Sequence, residues 1–158
     1  MDDAVAPLAT AFGAIETASE SMAFDFTHYY DDQMGSPLLR RFVSFAPLVD
    51  PSVLSGAKVQ TNVIEADFAR RLGPTPPRPL NLDVGYVSQS KLVLASMKDF
   101  SHRVYLGLGV YAEVTLMYRR THWEALPWTF PDYASGRYDA FLTSTRQQLR
   151  RQLQELEP

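Results

Sequence analysis

The sequence predicts an α+β protein: a two-layer sandwich in which helices cover one face of a mainly antiparallel sheet. Three observations indicate this class. The predicted elements follow the order α-β-β-α-β-α-β-β-β-α, a strong β-hairpin pattern lies near residues 98–118, and the length of 158 residues suits a single domain over 1–158. The β-β-α-β part of this order resembles a ferredoxin-like unit that lacks its first strand.

The N-terminal part is predicted to hold one helix and two strands. Residues 2–13 carry apolar side chains at helical spacing, and Gly13 closes the pattern. Alternating apolar residues predict strands over 22–26 and 39–48. A loop over 28–37 separates them, because it contains Gly and Pro.

The clearest helix runs from Asp50 to Leu72. Asp50 is a favourable N-cap, Pro51 suits the first helical position, and Gly73 ends the helix. An apolar stripe predicts its buried face, and a polar stripe beside it predicts solvated or salt-bridged surface. The apolar stripe contains Leu54, Ala57, Thr61, Ile64, Phe68 and Leu72, and the polar stripe contains Lys58, Asn62 and Glu65.

A proline-rich loop then leads into a strand over 80–84, which alternates apolar and polar residues. Ser88 is a suitable cap for a helix that runs to about Lys98. The chain closes with an aromatic loop around Trp128 and a last helix that begins at Ser135.

The segment 98–118 predicts a β-hairpin that turns at Gly107–Gly109, and residues 122–126 predict a further strand. A three-residue turn places Arg103 opposite Glu113 on one face, where unlike charges attract. As an exposed pair they contribute about 0–1 kcal/mol. The opposite face is predicted to pack on the core through Val104, Leu106, Ala112 and Val114.

Composition excludes several classes of protein. A net charge of −3 argues against a general nucleic-acid or membrane-surface binder. The chain has no cysteine, so it has no disulfide and no thiolate metal site, and we expect a reducing, cytoplasmic compartment. No apolar run approaches the roughly 20 residues that span a bilayer, and the acidic start is not a secretory signal.

Several segments together resemble the bacterial family called Domain of Unknown Function 4416. The resemblance covers most of the chain and keeps the order of the motifs. Members usually begin with an apolar strand before the first helix, which this chain lacks, and Val84 stands where the family typically has Pro. The segments are FDFTHYYDDQMG (24–35), RRFVSF (40–45), NLDVGY (81–86), KLVLASMKDFSHRVYLGLGVYAEVTLMY (91–118) and LPWTFPDY (126–133).

A ligand site is predicted around the hairpin because its polar residues include a guanidinium fork and a histidine. The alternative interpretation is that these cations only complement a helix end and that Glu113 only pairs with Arg103. No ligand spacing supports a metal site, and no cofactor or catalytic residue can be assigned. The predicted ligand-binding residues are Asp83, Tyr86, Lys91, Lys98, His102, Arg103 and Glu113.

The sequence therefore predicts a small cytoplasmic domain that binds an anionic ligand, of the phosphate or nucleotide kind. Catalysis is left open. The alternative function is a non-enzymatic protein-interaction or self-associating module. If the lacking strand belongs to the sheet, we expect an open sheet edge through which copies associate.

Overall fold

The computed structural model describes residues 2–26 and 31–156 of the chain. It contains helices and antiparallel sheets, which confirms the α+β class. The expected single domain over 1–158 stays a prediction. The described residues fall into two compact units, one within Met1–Val49 and Gly56–Asp83 and the other within Asp50–Ser55 and Val84–Pro158.

The first unit has one apolar core, to which two predicted helices contribute. Helix α1 (Val5–Phe12) follows a 3₁₀ turn and ends where Gly13 adopts a φ of 93°, a value that favours glycine. Helix α3 (Leu54–Leu72) contributes Phe68. The core consists of the buried residues Ala4, Leu8 and Phe68 and the partly buried residues Phe12, Val43, Phe45, Ile64, Leu80 and Leu82.

Two small antiparallel sheets complete the first unit. Strand β1 (Ile15–Ala18) pairs with β4 (Val43–Phe45), and β2 (Met22–Ala23) pairs with β3 (Leu39–Arg40). A one-turn helix, α2 (Asp31–Met34), falls in the segment predicted as a loop. The other predicted loop residues at 28–30 lie outside the described part of the chain.

Ser19 explains why the strand predicted over 39–48 is divided into β3 and β4. Its N–H donates to the carbonyl of Phe42 and its Oγ accepts from the N–H of Phe42, both at 2.9 Å. The Ser19 hydroxyl therefore replaces a backbone carbonyl as the acceptor for the N–H of Phe42, and the pairing of the strand is interrupted there. The strand predicted over 22–26 is shortened to β2, and the four residues of β1 are too few to show a period in the sequence.

The helix predicted over Asp50–Leu72 is confirmed. Asp50 caps it, since its Oδ1 accepts from the N–H of Ser52 at 2.8 Å, and a 3₁₀ turn at Pro51–Val53 leads into α3. Hydrogen bonds from the side chain and backbone of Ser52 lower the pKa of the Asp50 carboxyl. The first helical turn thus begins on a charged acceptor.

Residues 80–84 do not form the predicted strand, because side chains of α3 bind their backbone instead. Lys58 Nζ donates to the carbonyl of Leu82 at 2.9 Å, and the N–H of Leu82 donates to Glu65 Oε1 at 2.6 Å. Lys58 is buried. The prediction that the polar stripe of α3 is solvated is therefore wrong for this residue, which satisfies a backbone group in the interior.

The second unit contains a five-stranded antiparallel sheet in which β8 is central. Strand β6 pairs along one edge of β8, whereas β7 and β9 pair with the two ends of its other edge. No helix separates these strands in the chain. The ferredoxin-like unit is predicted for residues 22–84, outside this sheet, and its last strand, predicted over 80–84, does not form. The strands are β5 (Gly85–Val87), β6 (Lys91–Ser96), β7 (Val104–Gly107), β8 (Val110–Arg119) and β9 (His122–Ala125).

The helix predicted over Ser88–Lys98 is wrong, because β6 occupies this segment. Its run of four consecutive apolar residues suits a buried helix and a strand buried on both faces equally. The strand lies between β5 and β8, which accounts for its burial. Ser88 accepts a hydrogen bond from the N–H of Ser90 in the turn between β5 and β6 instead of capping a helix.

Helix α4 (Pro131–Ala134) falls in the segment predicted as an aromatic loop, and the last helix, predicted to begin at Ser135, is α5 (Asp139–Leu156). Ser135 lies between them, and its Oγ donates to the carbonyl of Asp132. Leu142 of α5 is buried, whereas Leu156 in its last turn is exposed. The apolar side of α5 therefore ends before its last turn.

Asp50→Ala is expected to lower the melting temperature, because the N–H of Ser52 loses its acceptor. The lowered pKa of Asp50 means that this stabilisation is present above the unfolded-state pKa and is lost as the pH falls through the folded-state pKa. Thermal melts between neutral pH and about pH 2 should show the difference from wild type disappear. Asp50→Asn, which keeps a neutral acceptor, is the control; a difference for Asp50→Ala that is independent of pH would contradict the assignment.

Phe68→Ala is expected to destabilise the protein by about 3–5 kcal/mol, because the ring is buried in the core of the first unit. Urea unfolding measures this free energy. Val63→Ala on the same helix is the control: Val63 is 55% exposed, so its loss should change stability by about 0.5 kcal/mol or less. A Phe68→Ala effect below about 1 kcal/mol would show that the ring is not a core residue.

Candidate functional site

The predicted hairpin is formed by β7 and β8. Tyr105 lies opposite Tyr111 and Val104 opposite Ala112. The turn is shorter than predicted, since Gly107 pairs with Val110 and the register shifts between Tyr105 and Gly107. Continuing the Val104–Ala112 register by one residue brings Arg103 next to Glu113.

The predicted Arg103–Glu113 ion pair is confirmed, but it is buried rather than exposed. Arg103 Nε lies 2.8 Å from Glu113 Oε2, and His102 Nε2 lies 3.1 Å from the same oxygen. Glu113 is only 3% exposed. The hydroxyl of Thr115 lies 3.4 Å from the other carboxylate oxygen. Because a buried carboxylate needs compensating partners, the cluster fixes how β7 meets β8.

Arg103 also binds the end of β6. Its Nη1 donates to Ser96 Oγ at 2.9 Å and to the carbonyl of Lys98 at 2.8 Å. Its Nη2 makes no hydrogen bond within the described part of the chain and is not sealed from solvent. The guanidinium is therefore held in one orientation by three hydrogen bonds, with one nitrogen left over.

Two aromatic rings contact His102. The Trp128 ring stacks on the imidazole with centroids 5.1 Å apart and an angle of 7°, and the Phe100 ring lies 5.2 Å away at 56°. Trp128 Nε1 donates to the carbonyl of Val114 at 2.9 Å. The turn over 126–129 thus covers the cluster and binds β8 at the same time.

This turn fills the interval between β7 and β9 on the edge of β8. Thr129 Oγ1 donates to the carbonyl of Thr115 at 2.6 Å and accepts from the N–H of Leu126 at 2.8 Å. Side chains therefore satisfy carbonyls that neither neighbouring strand reaches. The sequence indicates an aromatic loop here, but nothing in local spacing identifies Trp128 and Thr129 as partners of β8.

Four of the seven predicted ligand residues are not brought into this cluster by their side chains. Tyr86 packs against the apolar cluster that contains Leu54 and Val93. Lys91 pairs with Met117, at the opposite end of β6 from Ser96. Asp83 belongs to the first unit, where it lies 3.5 Å from Arg40. The side chain of Lys98 is exposed, and only its carbonyl takes part in the cluster, as an acceptor for Arg103.

The prediction that Val104 and Leu106 face the core is wrong. Both are exposed, because β7 lies at the edge of the sheet and its hairpin extends beyond the packed part. Their predicted partners on β8, Ala112 and Val114, are partly buried against the apolar cluster. The period-2 pattern identifies the two faces correctly but does not show where the packed layer ends.

The fold and the cluster define an α+β protein with an antiparallel sheet and a buried Arg–Glu–His site at one edge. The family model for Domain of unknown function (DUF4416) matches residues 1–149, and the chain belongs to this family. No curated protein and no solved structure matches the chain.

Among residues 2–26 and 31–156, no group of three or more acidic or histidine side chains is arranged to hold a metal ion. In the same part of the chain, none of the helices combines the length and the apolar character that a membrane crossing requires. The groups that the cluster around Glu113 offers are the hydrogen-bonding groups of its own side chains.

Glu113→Gln is expected to destabilise the protein by about 3–5 kcal/mol, because it leaves the Arg103 charge buried without a counter-ion. Arg103→Glu should be at least as damaging, since two carboxylates would then meet. The double variant Arg103→Met/Glu113→Leu removes both charges and should lose less than either single variant. Urea unfolding of the four proteins decides this, and single-variant losses below about 1 kcal/mol would show that solvent screens the pair.

Proposed function

We propose that the protein binds a small anionic ligand through a phosphate group, next to Arg103. The observation that carries this proposal is the fixed guanidinium with an unused nitrogen. Nε and Nη1 are occupied by protein acceptors, so Nη2 is the edge offered to solvent. Guanidinium groups bind phosphate oxygens by directed, charge-assisted hydrogen bonds, and a preorganised group loses little entropy on binding.

Lys98 supplies a second cation beside this edge. Its side chain is exposed and has no partner within the described residues, while its carbonyl is bound to Arg103. Glu113 and the exposed Asp99 offset the positive charge. The attraction therefore comes from directed hydrogen bonds and the mobile ammonium rather than from a large net charge, and we expect weak affinity.

The exposed rings favour a planar group on the same ligand. Phe100 and Trp128 both contact the His102 ring and are both exposed. An aromatic base can stack on such rings while its phosphate reaches Arg103. A nucleoside monophosphate combines the two features, so this is the ligand class that we propose.

The proposed activity is binding rather than catalysis. Glu113 is buried and engaged by His102, Arg103 and Thr115, so it does not reach a ligand as a proton acceptor. We also propose that the protein works in the bacterial cytoplasm. The lack of cysteine supports this, because the fold needs no oxidising compartment.

Thermal shift with inorganic phosphate and with adenosine monophosphate tests the proposal. A ligand present at about ten times its Kd should stabilise the native state by about 1.4 kcal/mol. For a chain of this length the melting temperature should then rise by about 3–5 °C. A larger response to the nucleotide than to phosphate would support stacking on the rings.

Lys98→Ala should weaken this response about tenfold in Kd without changing the melting temperature of the free protein, because its side chain is exposed and makes no hydrogen bond or ion pair with the described residues. Lys91→Ala is the matched control, since it removes a lysine from the other end of the same region. No response of the wild type to either compound at about 10 mM would contradict the proposal. So would equal losses in the two lysine variants.

A further inference from the structure

We propose that two copies of this chain associate through the outer edges of their β7 strands and form one antiparallel sheet across a two-fold axis. This inference does not rest on the anionic ligand. It begins from the pairing of β7, which bonds to β8 on one side. No other strand of the described residues pairs with it, so its second edge is open.

The side chains of this hairpin are apolar and exposed on both faces. Val104 is 66% exposed, Tyr105 59%, Leu106 41% and the turn residue Leu108 66%. Contiguous apolar side chains at an open strand edge are the features of a protein-interaction surface.

The edge of β7 is short and has a register shift, but it lacks two other features that prevent pairing, namely charge and proline. Residues 104–109 contain no charged residue and no proline. Strand β9, which pairs with the same edge of β8, does carry charged residues. Glu124 lies 3.7 Å from Arg119 and 3.4 Å from His122. Charged side chains protect an edge strand because pairing would desolvate them. Charged side chains thus protect the sheet edge at β9 but not at β7.

Leu108 provides a second, independent observation. It has a φ of 57° and is followed by Gly109 with a φ of 74°, so both central residues of the turn are left-handed. Such turns favour Asn, Asp or Gly, and a leucine in this conformation is unfavourable. Within one copy, the exposed side chain of Leu108 gains no burial that would offset this unfavourable backbone conformation. Contact with a partner gives its side chain a favourable position and accounts for its presence in the turn.

Two-fold symmetry selects a second copy as the occupant. Antiparallel pairing of identical strands requires an axis perpendicular to the sheet, so each face meets the same face of the other copy. With the axis at Tyr105, the two copies of Tyr105 lie opposite each other on one face, and Val104 lies opposite Leu106 of the other copy on the other face. No like charges are brought together along β7, because the segment carries none. The surface is therefore complementary to itself without a charged partner.

The interface is small, which determines the strength that we expect. β7 has four residues, and the turn adds few more. Stable dimers usually bury well over about 1,000 Å² in total, and two strands of four residues offer little surface for such an interface. The dimer should accordingly be in concentration-dependent exchange with the monomer.

Sedimentation equilibrium over a range of concentrations tests the inference. Wild type should shift from monomer to dimer, and Val104→Lys should raise the dimer Kd at least tenfold while the melting temperature of the monomer is unchanged. Val63→Lys on α3 is the matched control, because Val63 is similarly exposed and lies away from the hairpin in sequence. It should leave the dimer Kd as in wild type.

Leu108→Asn separates association from folding. Asparagine suits the left-handed turn position, so this variant should melt at a higher temperature, yet it should dimerise more weakly because the leucine side chain is gone. Three results would overturn the inference: a wild type that is monomeric up to about 1 mM, a dimer that Val104→Lys does not weaken, or binding only to a strand of a different protein.

Discussion

The second unit depends on the burial of one carboxylate. Glu113 sits in the middle of β8 and is almost completely removed from water, a position that is very costly for a charge without partners. Arg103 and His102 supply those partners from the start of β7, and Arg103 extends the network to Ser96 and Lys98 at the end of β6. The position of three strands is therefore coupled to one charge, and any change that breaks the pair leaves the other member buried and unpaired.

The same residue accounts for the interruption on the outer edge of the sheet. β7 ends its pairing at Ala112 and β9 begins at Leu116, so the intervening part of β8 has no strand beside it. Trp128 and Thr129 bind the carbonyls of Val114 and Thr115 there, and the Trp128 ring stacks on His102. The ion cluster and the aromatic turn are consequently linked through His102, whose imidazole provides the surface on which the indole packs.

Local patterns predicted those parts of the molecule whose partners are close in sequence. The cap at Asp50, the helix that follows it and the Arg103–Glu113 pair all depend on neighbours within one helical turn or one hairpin. The failures have a common physical origin. The apolar run of β6 does not reveal its secondary structure, and residues 80–84 alternate as a strand does, although Lys58 and Glu65 bind their backbone from a helix. Trp128 and Thr129 belong to the site through tertiary contacts, which a single sequence does not display.

The position of β7 is set by charge and backbone pairing rather than by burial of its own side chains. Val104 and Leu106 remain exposed, so the usual reason for a strand to lie on a sheet is missing, and Arg103 provides the anchor in its place. Because Arg103 anchors β7, two surfaces are left available at once: the outer edge of β7 and Nη2 of Arg103. The strand edge is open because nothing covers its apolar side chains, and Nη2 of Arg103 is open because only Nε and Nη1 are needed for the anchor. A phosphate at Nη2, as we propose, would not compete with Glu113, so it would leave in place the anchor of β7 and the edge that we propose for a second copy.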